Sequence, residues 1–218
     1  MLLTVGRFVL LALTDAAMLP ALNVMKRNRR HFELFVGILQ LVTSFFFNAA
    51  EAFNTQLFLT EIKWHFISDV VSLAYFLLLC VHLMGYKDEN HNIILRYVAF
   101  SCAWIFKTKD GWNYIACEEM LVVCYLFGVL YRRGCTRAND ISPFNKQYGV
   151  NAMLCLVGAA CMWFTSIYFD QDEDHMAWGV AEGLMHMLAG AAFYYAWLTV
   201  PCLDSKKDDL IPMQSSYV

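Results

Sequence analysis

Two pairs of polar residues stand at helical spacing inside apolar stretches of the chain. Ser44 and Asn48 are four residues apart in one stretch, and Glu182 and His186 are four apart in another. Residues at positions i and i+4 lie on the same face of a helix. Where two such faces meet a further carboxylate, here Asp69, helical bundles build metal or acid–base sites. The same residues could instead form a buried hydrogen-bond network that ties helices together without any chemistry.

The elements that must position these residues are apolar runs, and a helix needs about 20 apolar residues to cross the hydrocarbon core of a bilayer. Seven runs approach or reach this length, the fourth and the fifth being the shortest. They cover residues 2–25, 32–53, 64–84, 92–106, 114–131, 148–169 and 177–200. We therefore predict an all-α membrane protein. Its bundle of seven transmembrane helices would occupy residues 1–201 and leave residues 202–218 as a tail.

The composition agrees with a membrane protein and excludes several other classes. The 218 residues are 59% hydrophobic and 16% charged, against about 25% charged residues in soluble domains. Mean hydropathy is +0.46. So few charges argue against a soluble globule, a disordered chain and a coiled coil. The net charge of −3 lacks the basic character of a nucleic-acid-binding protein, so the expected partners are membrane lipids and not nucleic acid.

The positions of Lys and Arg predict the orientation, because cytosolic loops are enriched in these residues. The loops after the first, third and fifth runs, together with the tail, carry most of them. These residues are Lys26, Arg27, Arg29, Arg30, Lys87, Arg132, Arg133, Arg137, Lys146, Lys206 and Lys207. The opposite side carries Lys63, Lys107 and Lys109 near its loops. We expect the N-terminus outside and the C-terminus in the cytosol, in the plasma membrane or in an endomembrane such as the Golgi or the endoplasmic reticulum.

In this orientation the polar residues of several helices lie at one depth, near the outer leaflet. At about 1.5 Å per residue, Asn48 and Glu51 lie within about two turns of the outer end of the second span. Asp69 lies about one and a half turns below the outer end of the third span. Glu182 and His186 fall in the outer half of the seventh. Because ionisable groups inside hydrocarbon are costly, we expect a functional polar cavity at this depth.

The first apolar run is interrupted by Asp15 but continues to Met25 and ends at a basic cluster. A secretory signal peptide has a short, uninterrupted apolar region and a cleavage site of small residues. We therefore expect this run to be a retained span.

The eight cysteines do not predict a disulfide framework. Six of them fall inside the predicted spans, where Cys behaves as a small apolar residue. Cys135 and Cys202 fall in cytosolic segments beside the membrane, where reversible palmitoylation occurs. An unmodified thiol at either position is equally consistent with the sequence.

Several short motifs resemble, in their order and spacing, the CREST superfamily of seven-span proteins, which includes alkaline ceramidases and adiponectin receptors. The motifs are Leu19-Pro20 before Lys26-Arg27 and Glu33, Ser44 to Glu51, Asp69 with Ser72, Gly111-Trp112, and Glu182 to His186 followed by Pro201. Within the superfamily the chain most resembles the myomaker and transmembrane protein 8 family. The resemblance covers nearly the whole chain, including the loop lengths, and implies a seven-span fold.

The resemblance also implies a site at which three histidines hold zinc and a metal-bound water attacks an amide or ester of a lipid. The superfamily pattern is Ser-x-x-x-His in the second span, Asp in the third and His-x-x-x-His in the seventh. This chain keeps Ser44, Asp69 and His186 but has Asn48 and Glu182 at two of the three ligand positions. An Asn amide is a poor zinc ligand, and Glu binds zinc through oxygen. A zinc site of three imidazoles therefore cannot form.

Two interpretations remain open for this site. In one, Asp69, Glu182, His186 and Glu51 hold a divalent metal, either zinc or a harder ion such as manganese or magnesium. The protein would then be a metal-dependent lipid amide or ester hydrolase in which Ser44 and Asp69 act catalytically. In the other, the metal ligands have been lost and a hydrogen-bonded cluster remains, with no cofactor.

We favour the second interpretation. It predicts a lipid-binding or membrane-remodelling protein without robust hydrolysis, and cell fusion, known for a few members of the resembled family, is one form of such remodelling. No protein partner is predicted.

Overall fold

The computed structural model of the chain describes residues 2–110, 115–137, 141–171 and 175–202. These residues are almost entirely helical and include no β-strand, which confirms the predicted all-α class. They form eight α-helices in the order α1 Leu2–Asp15, α2 Leu19–Arg27, α3 His31–Phe53, α4 Glu61–Leu83, α5 Glu89–Asp110, α6 Ile115–Cys135, α7 Lys146–Gln171 and α8 His175–Thr199.

The first apolar run is two helices and not one continuous span helix. Helix α1 ends at Asp15, a 3-10 turn covers Ala16–Met18, and α2 begins at Leu19 with Pro20 in its first turn. Proline lacks a backbone N–H and clashes inside a helix, but it is tolerated in the first turn. The chain therefore begins a new helix at Leu19, with Pro20 in the first turn, and the break leaves Asp15 at the end of α1.

Four segments of the described chain are long and apolar enough to cross a membrane. They are Phe8–Arg27, His31–Phe53, Glu61–Leu83 and Lys146–Ile167, with 20 to 23 residues each. At about 1.5 Å per residue such helices match a hydrocarbon core about 30 Å thick. The fold thus contains four candidate membrane-spanning segments.

Helix α4 forms the centre of the bundle and packs against α3, α5, α6 and α8. Its residues Val71, Tyr75 and Leu78 are at most 1% exposed. Trp197 of α8 is fully buried beside them and donates from Nε1 to the Tyr75 hydroxyl at 3.0 Å. A helix that is apolar on every side is expected at such a central position.

Helix α7, in contrast, lies at the edge of the bundle and packs against α8. Its side chains Leu154, Val157 and Phe164 are all more than half exposed. A contiguous apolar surface of this kind is unfavourable in water and suits a lipid environment.

Candidate functional site

Asp15, at the end of α1, is the centre of a polar cluster that also contains Ser44, Asn48 and His186, here called the Asp15 cluster. The Ser44 hydroxyl donates to Asp15 Oδ2 at 2.6 Å, and Asn48 Nδ2 donates to the same oxygen at 2.9 Å. His186 Nδ1 lies 2.9 Å from Asp15 Oδ1. The imidazole and the carboxylate are at ion-pair distance, and the pair is charged when the His186 ring carries both of its protons.

One face of α8 brings His186 to Asp15. Gly183, His186 and Gly190 follow one another at spacings of three and four and therefore share a helix face. A Cβ atom added at Gly190 would lie 2.6 Å from the Ala17 carbonyl oxygen, and one added at Gly183 would lie 3.2 Å from a methyl group of Thr14. The two glycines thus permit the close approach of α8 to α1 and to the 3-10 turn.

The predicted i and i+4 pairs therefore meet in part. Ser44 and Asn48 share a face and reach the same acceptor as His186, but the acceptor is Asp15 and not Asp69. Sequence reasoning noted Asp15 as an ionisable group inside a span and did not include it in the site. The feature of the sequence that could have indicated Asp15 as a site residue is its charge within an otherwise apolar run.

Asp69 belongs to a second group of charged side chains, here called the Lys107 cluster. Lys107 Nζ lies 3.2 Å from Asp69 Oδ2 and 2.6 Å from Glu118 Oε1. His65, one turn before Asp69 on α4, has its Nδ1 3.4 Å from the same Asp69 oxygen. Glu51 lies within electrostatic range of His65.

The predicted metal-binding set is thus divided between the two clusters. His186 contacts Asp15, and Glu182 lies within electrostatic range of the His186 ring, whereas Asp69 and Glu51 are associated with His65. In the described part of the chain, no group of three or more His, Cys, Asp or Glu side chains is arranged to hold a metal ion. Ser44 and Asn48 use their donors on Asp15, so the residues present do not fit the zinc site that the resemblance implies.

A third polar group, the Glu33 cluster, lies in the opposite half of the bundle and was not predicted. Glu33 of α3 is fully buried. Its Oε1 lies 2.7 Å from His82 Nε2 of α4 and accepts from Arg96 Nη1 of α5 at 2.9 Å. Arg96 Nη2 also donates to Glu89 at 2.8 Å. This buried carboxylate connects helices α3, α4 and α5. The only indication of it in the sequence is an acidic residue in the first turn of an apolar run.

The Glu33 cluster also holds the end of α8. Arg30 Nη1 lies 3.6 Å from Glu89 Oε1, and Arg30 Nη2 donates to the Pro201 carbonyl at 3.4 Å. Burial lowers the pKa of the Arg30 guanidinium, while the Glu89 and Glu33 carboxylates act in the opposite direction. The basic segment between α2 and α3 therefore makes structural contacts to Glu89 and Pro201 through Arg30, in addition to carrying positive charge.

A cavity of about 650 Å³ lies beside α6 and α7 and is here called the α6–α7 cavity. It is formed by the C-terminal halves of α4, α6 and α8, the N-terminal half of α7 and the segment before α7. Its walls are mostly apolar and include Phe76, Leu126, Met153 and Phe193. Cavities of roughly 300–1,000 Å³ with apolar walls are typical of small-molecule sites. The Asp15 cluster, whose α8 residue His186 lies in the N-terminal half of that helix, does not line this cavity.

The α6–α7 cavity is open between its two outer helices. Helix α6 packs against α4 and α5, and α7 packs against α8. The lining side chains Leu130 on α6 and Met153 on α7 are 70% and 60% exposed. An apolar wall that is open on the outer side of the bundle gives lateral access to whatever surrounds the helices.

Basic residues stand at one end of this cavity. Arg133 and Lys146 line it at the end of α6 and the start of α7. The adjoining segment is anchored, because Ser142 N donates to the Gly85 carbonyl at 2.9 Å. Gly85 has a φ of +70°, and a Cβ there would lie 2.8 Å from Ile141, so the turn requires glycine. The cavity therefore combines an apolar body with a positively charged end.

The sequence profile of one protein family matches residues 4–187 of the chain, most of its length. The chain belongs to this family, described as protein of unknown function (DUF3522). All four residues of the Asp15 cluster lie within the matched region. No curated protein matches the chain.

The two predicted lipidation residues of this family member lie at helix ends. Cys135, the last residue of α6, and Cys202, just after α8, are both exposed. Cys202 Sγ lies 3.8 Å from the Arg27 carbonyl oxygen. Palmitoylation of either thiol remains a prediction.

Proposed function

We propose that this protein is a lipid-binding membrane protein with seven spans, an outside N-terminus and a cytosolic C-terminus, related to the myomaker and transmembrane protein 8 family of the CREST superfamily. The observation that carries the lipid-binding proposal is the α6–α7 cavity. Its apolar walls and its lateral opening suit an acyl chain that enters from the bilayer. The resemblance to the myomaker and transmembrane protein 8 family implies that such lipid binding serves membrane remodelling, including cell fusion.

The seven-span count is supported by the lengths of the three remaining helices. Helices α5, α6 and α8 have 22, 21 and 25 residues, and about 20 residues suffice to cross the hydrocarbon core. With α1 and α2 together forming the first span, the helices alternate in direction. The basic residues after the first, third and fifth spans then share the cytosolic side with the tail, as the positive-inside rule requires.

The Asp15 cluster has a structural role in this proposal. Asp15 accepts from Ser44 and Asn48 and contacts His186 where the resembled proteins have zinc. A hydrogen-bonded carboxylate at this position joins α1, α3 and α8 without a metal. The alternative function, a metal-dependent lipid hydrolase, gains no support from the donor arrangement and remains a prediction that metal analysis can test.

Reporters fused to each terminus of the full chain test the topology. We expect a glycosylation-acceptor tag at the N-terminus to be glycosylated, since it faces the outside or the lumen, and the same tag at the C-terminus to stay unmodified in the cytosol. A cytosolic N-terminal tag would overturn the orientation, and two tags on the same side would overturn the seven-span count.

Photo-crosslinking tests the lipid-binding proposal. Cells that express the full chain are fed a photoactivatable, clickable fatty acid, which they incorporate into phospholipids. We expect lipid-modified peptides that contain the lining residues Leu130 and Met153. Crosslinks confined to residues outside the cavity, such as the exposed Leu154 and Phe164, would indicate only the surrounding bilayer and would contradict the proposal.

A further inference from the structure

Arg133 is fixed in position at the basic end of the α6–α7 cavity. Its Nε donates to the Leu83 carbonyl at 2.7 Å and its Nη1 to the Ser142 carbonyl at 2.9 Å. Its guanidinium carbon lies 4.8 Å from the centre of the Phe144 ring. The two hydrogen bonds use two of the five N–H donors of the guanidinium. The group is therefore preorganised where it lines the cavity, and three of its N–H donors are not used by these two hydrogen bonds.

The charge at this end is not neutralised within the described residues. No described carboxylate forms an ion pair with Arg133 or with Lys146, which is exposed at the start of α7. Burial and the neighbouring Arg132 charge lower the pKa of the Arg133 guanidinium, yet an arginine keeps its proton in proteins. An anion at this position would compensate the positive charge of the partly buried Arg133 and of Lys146.

The size of the cavity fits one acyl chain. On α7 its lining extends from Lys146 to Leu156, about 15 Å at 1.5 Å per residue. This is half of a hydrocarbon core about 30 Å thick, which is the depth that a lipid chain occupies in one leaflet. The basic end coincides with the side on which the proposed topology puts the cytosol, and the cytosolic leaflet carries the anionic lipids.

We infer that the α6–α7 cavity binds an anionic phospholipid of the cytosolic leaflet, with an acyl chain between α6 and α7 and the phosphate held by Arg133 and Lys146. The inference rests on the proposed lipid binding and adds the headgroup charge, the leaflet and the residues that recognise it. The planar fork of Arg133 matches the geometry of phosphate oxygens, and Lys146 adds a mobile point charge.

The test uses the full chain reconstituted in nanodiscs of phosphatidylcholine with a minor fraction of phosphatidylserine. Native mass spectrometry after transfer to detergent identifies the retained lipids. Loss of one charge-assisted contact reduces affinity by about tenfold. We therefore expect wild type to retain phosphatidylserine selectively, and Arg133→Gln and Lys146→Gln to lose about tenfold of this selectivity while total retained lipid stays similar. Arg137→Gln, which removes the same charge from an exposed position outside the lining, is the matched control.

The outcomes separate this inference from the proposed function. Retained lipid without headgroup preference, or a preference for added free oleate over phosphatidylserine, would overturn the inference and leave lipid binding intact. Displacement by inorganic phosphate with no retained lipid would identify a free-anion site and overturn both. If Arg133→Gln does not fold because it loses its contacts to Leu83 and Ser142, the exposed Lys146→Gln variant decides, and unchanged selectivity in that variant contradicts the inference.

Discussion

His186 Nδ1 lies 2.9 Å from Asp15 Oδ1, so the last helix of the bundle is joined to the first through a polar contact. The other Asp15 oxygen accepts from Ser44 and Asn48 of α3. One carboxylate therefore connects three helices in a largely apolar interior. Its removal should affect the whole bundle and not only α1.

Asp15→Ala should reduce the free energy of unfolding by about 1–3 kcal/mol, because Ser44 and Asn48 lose their common acceptor and His186 loses its carboxylate neighbour. Asp15→Asn should cost less, since the amide oxygen still accepts. Unfolding of the detergent-solubilised chain by titration with sodium dodecyl sulfate measures the difference. Glu119→Gln, at an exposed carboxylate of α6, is the control and should leave the transition unchanged. An unaltered transition in Asp15→Ala would show that the Asp15 cluster contributes nothing to stability.

Glu33→Gln should destabilise the protein more strongly, by about 3–5 kcal/mol, because it removes the fully buried carboxylate that pairs with both His82 and Arg96 and leaves Arg96 only the partly exposed Glu89. Glu89→Gln is the matched control. The Glu89 side chain is 41% exposed and also pairs with Arg96, and an ion pair of this exposure contributes at most about 1 kcal/mol. Equal losses in the two variants would contradict the assignment of Glu33 as the central residue of its cluster.

Gly190→Ala should cost about 1–3 kcal/mol, because its Cβ would lie 2.6 Å from the Ala17 carbonyl oxygen and force α8 away from the 3-10 turn. Gly179→Ala on the same helix meets nothing within 4 Å and should be neutral or slightly stabilising. Thermal unfolding of both variants in the same detergent compares them directly. If the two variants have the same melting temperature, the close approach of α8 to the 3-10 turn is wrong.

Wild type should contain little bound metal when purified under zinc-replete conditions, whereas the double variant Asn48→His with Glu182→His should gain zinc. The double change would supply three imidazoles beside Asp15, and three protein ligands with one open position suit catalytic zinc. Each single variant should gain much less, because the ligands act together. Stoichiometric metal in wild type, lost in His186→Ala, would instead favour the hydrolase alternative.

The all-helical class and the positions of most helices could be predicted from the apolar runs, because run length is a local property of the sequence. The break after Asp15 was not predicted, although Pro20, whose effect on a helix is local, stands at the start of α2. Membrane-spanning character followed from the same pattern, and four such segments are present in the structure.

The partners of the polar residues could not be predicted in the same way. Spacing correctly put Ser44 with Asn48 on one face, but no local pattern states that this face meets Asp15 and not Asp69. Lys107, which the sequence suggested only as a loop charge, pairs with Asp69 and Glu118. Cross-helix pairing depends on how the helices are rotated and packed, and single-sequence periodicity does not contain that information.

The α6–α7 cavity likewise could not be predicted from the sequence, because a cavity depends on how far apart the helices pack and not on their composition. Leu130 and Met153 are ordinary apolar residues in their own helices. Only the packing of α6 on α4 and of α7 on α8 leaves space between them. The sequence predicted a polar cavity at the other end of the bundle, where the structure has the Asp15 cluster.

The most direct test of lipid binding in this cavity is the amount of lipid that remains on the purified chain when the cavity is filled by a side chain. Ala152→Phe puts a ring into the lining from α7, and Ala160→Phe puts the same ring on an exposed position of the same helix. Native mass spectrometry after extensive detergent washing counts the retained lipids. We expect about one lipid per chain in wild type and in Ala160→Phe, as for one occupied cavity, and none in Ala152→Phe. Equal retention in all three proteins, or no lipid in wild type, would contradict it.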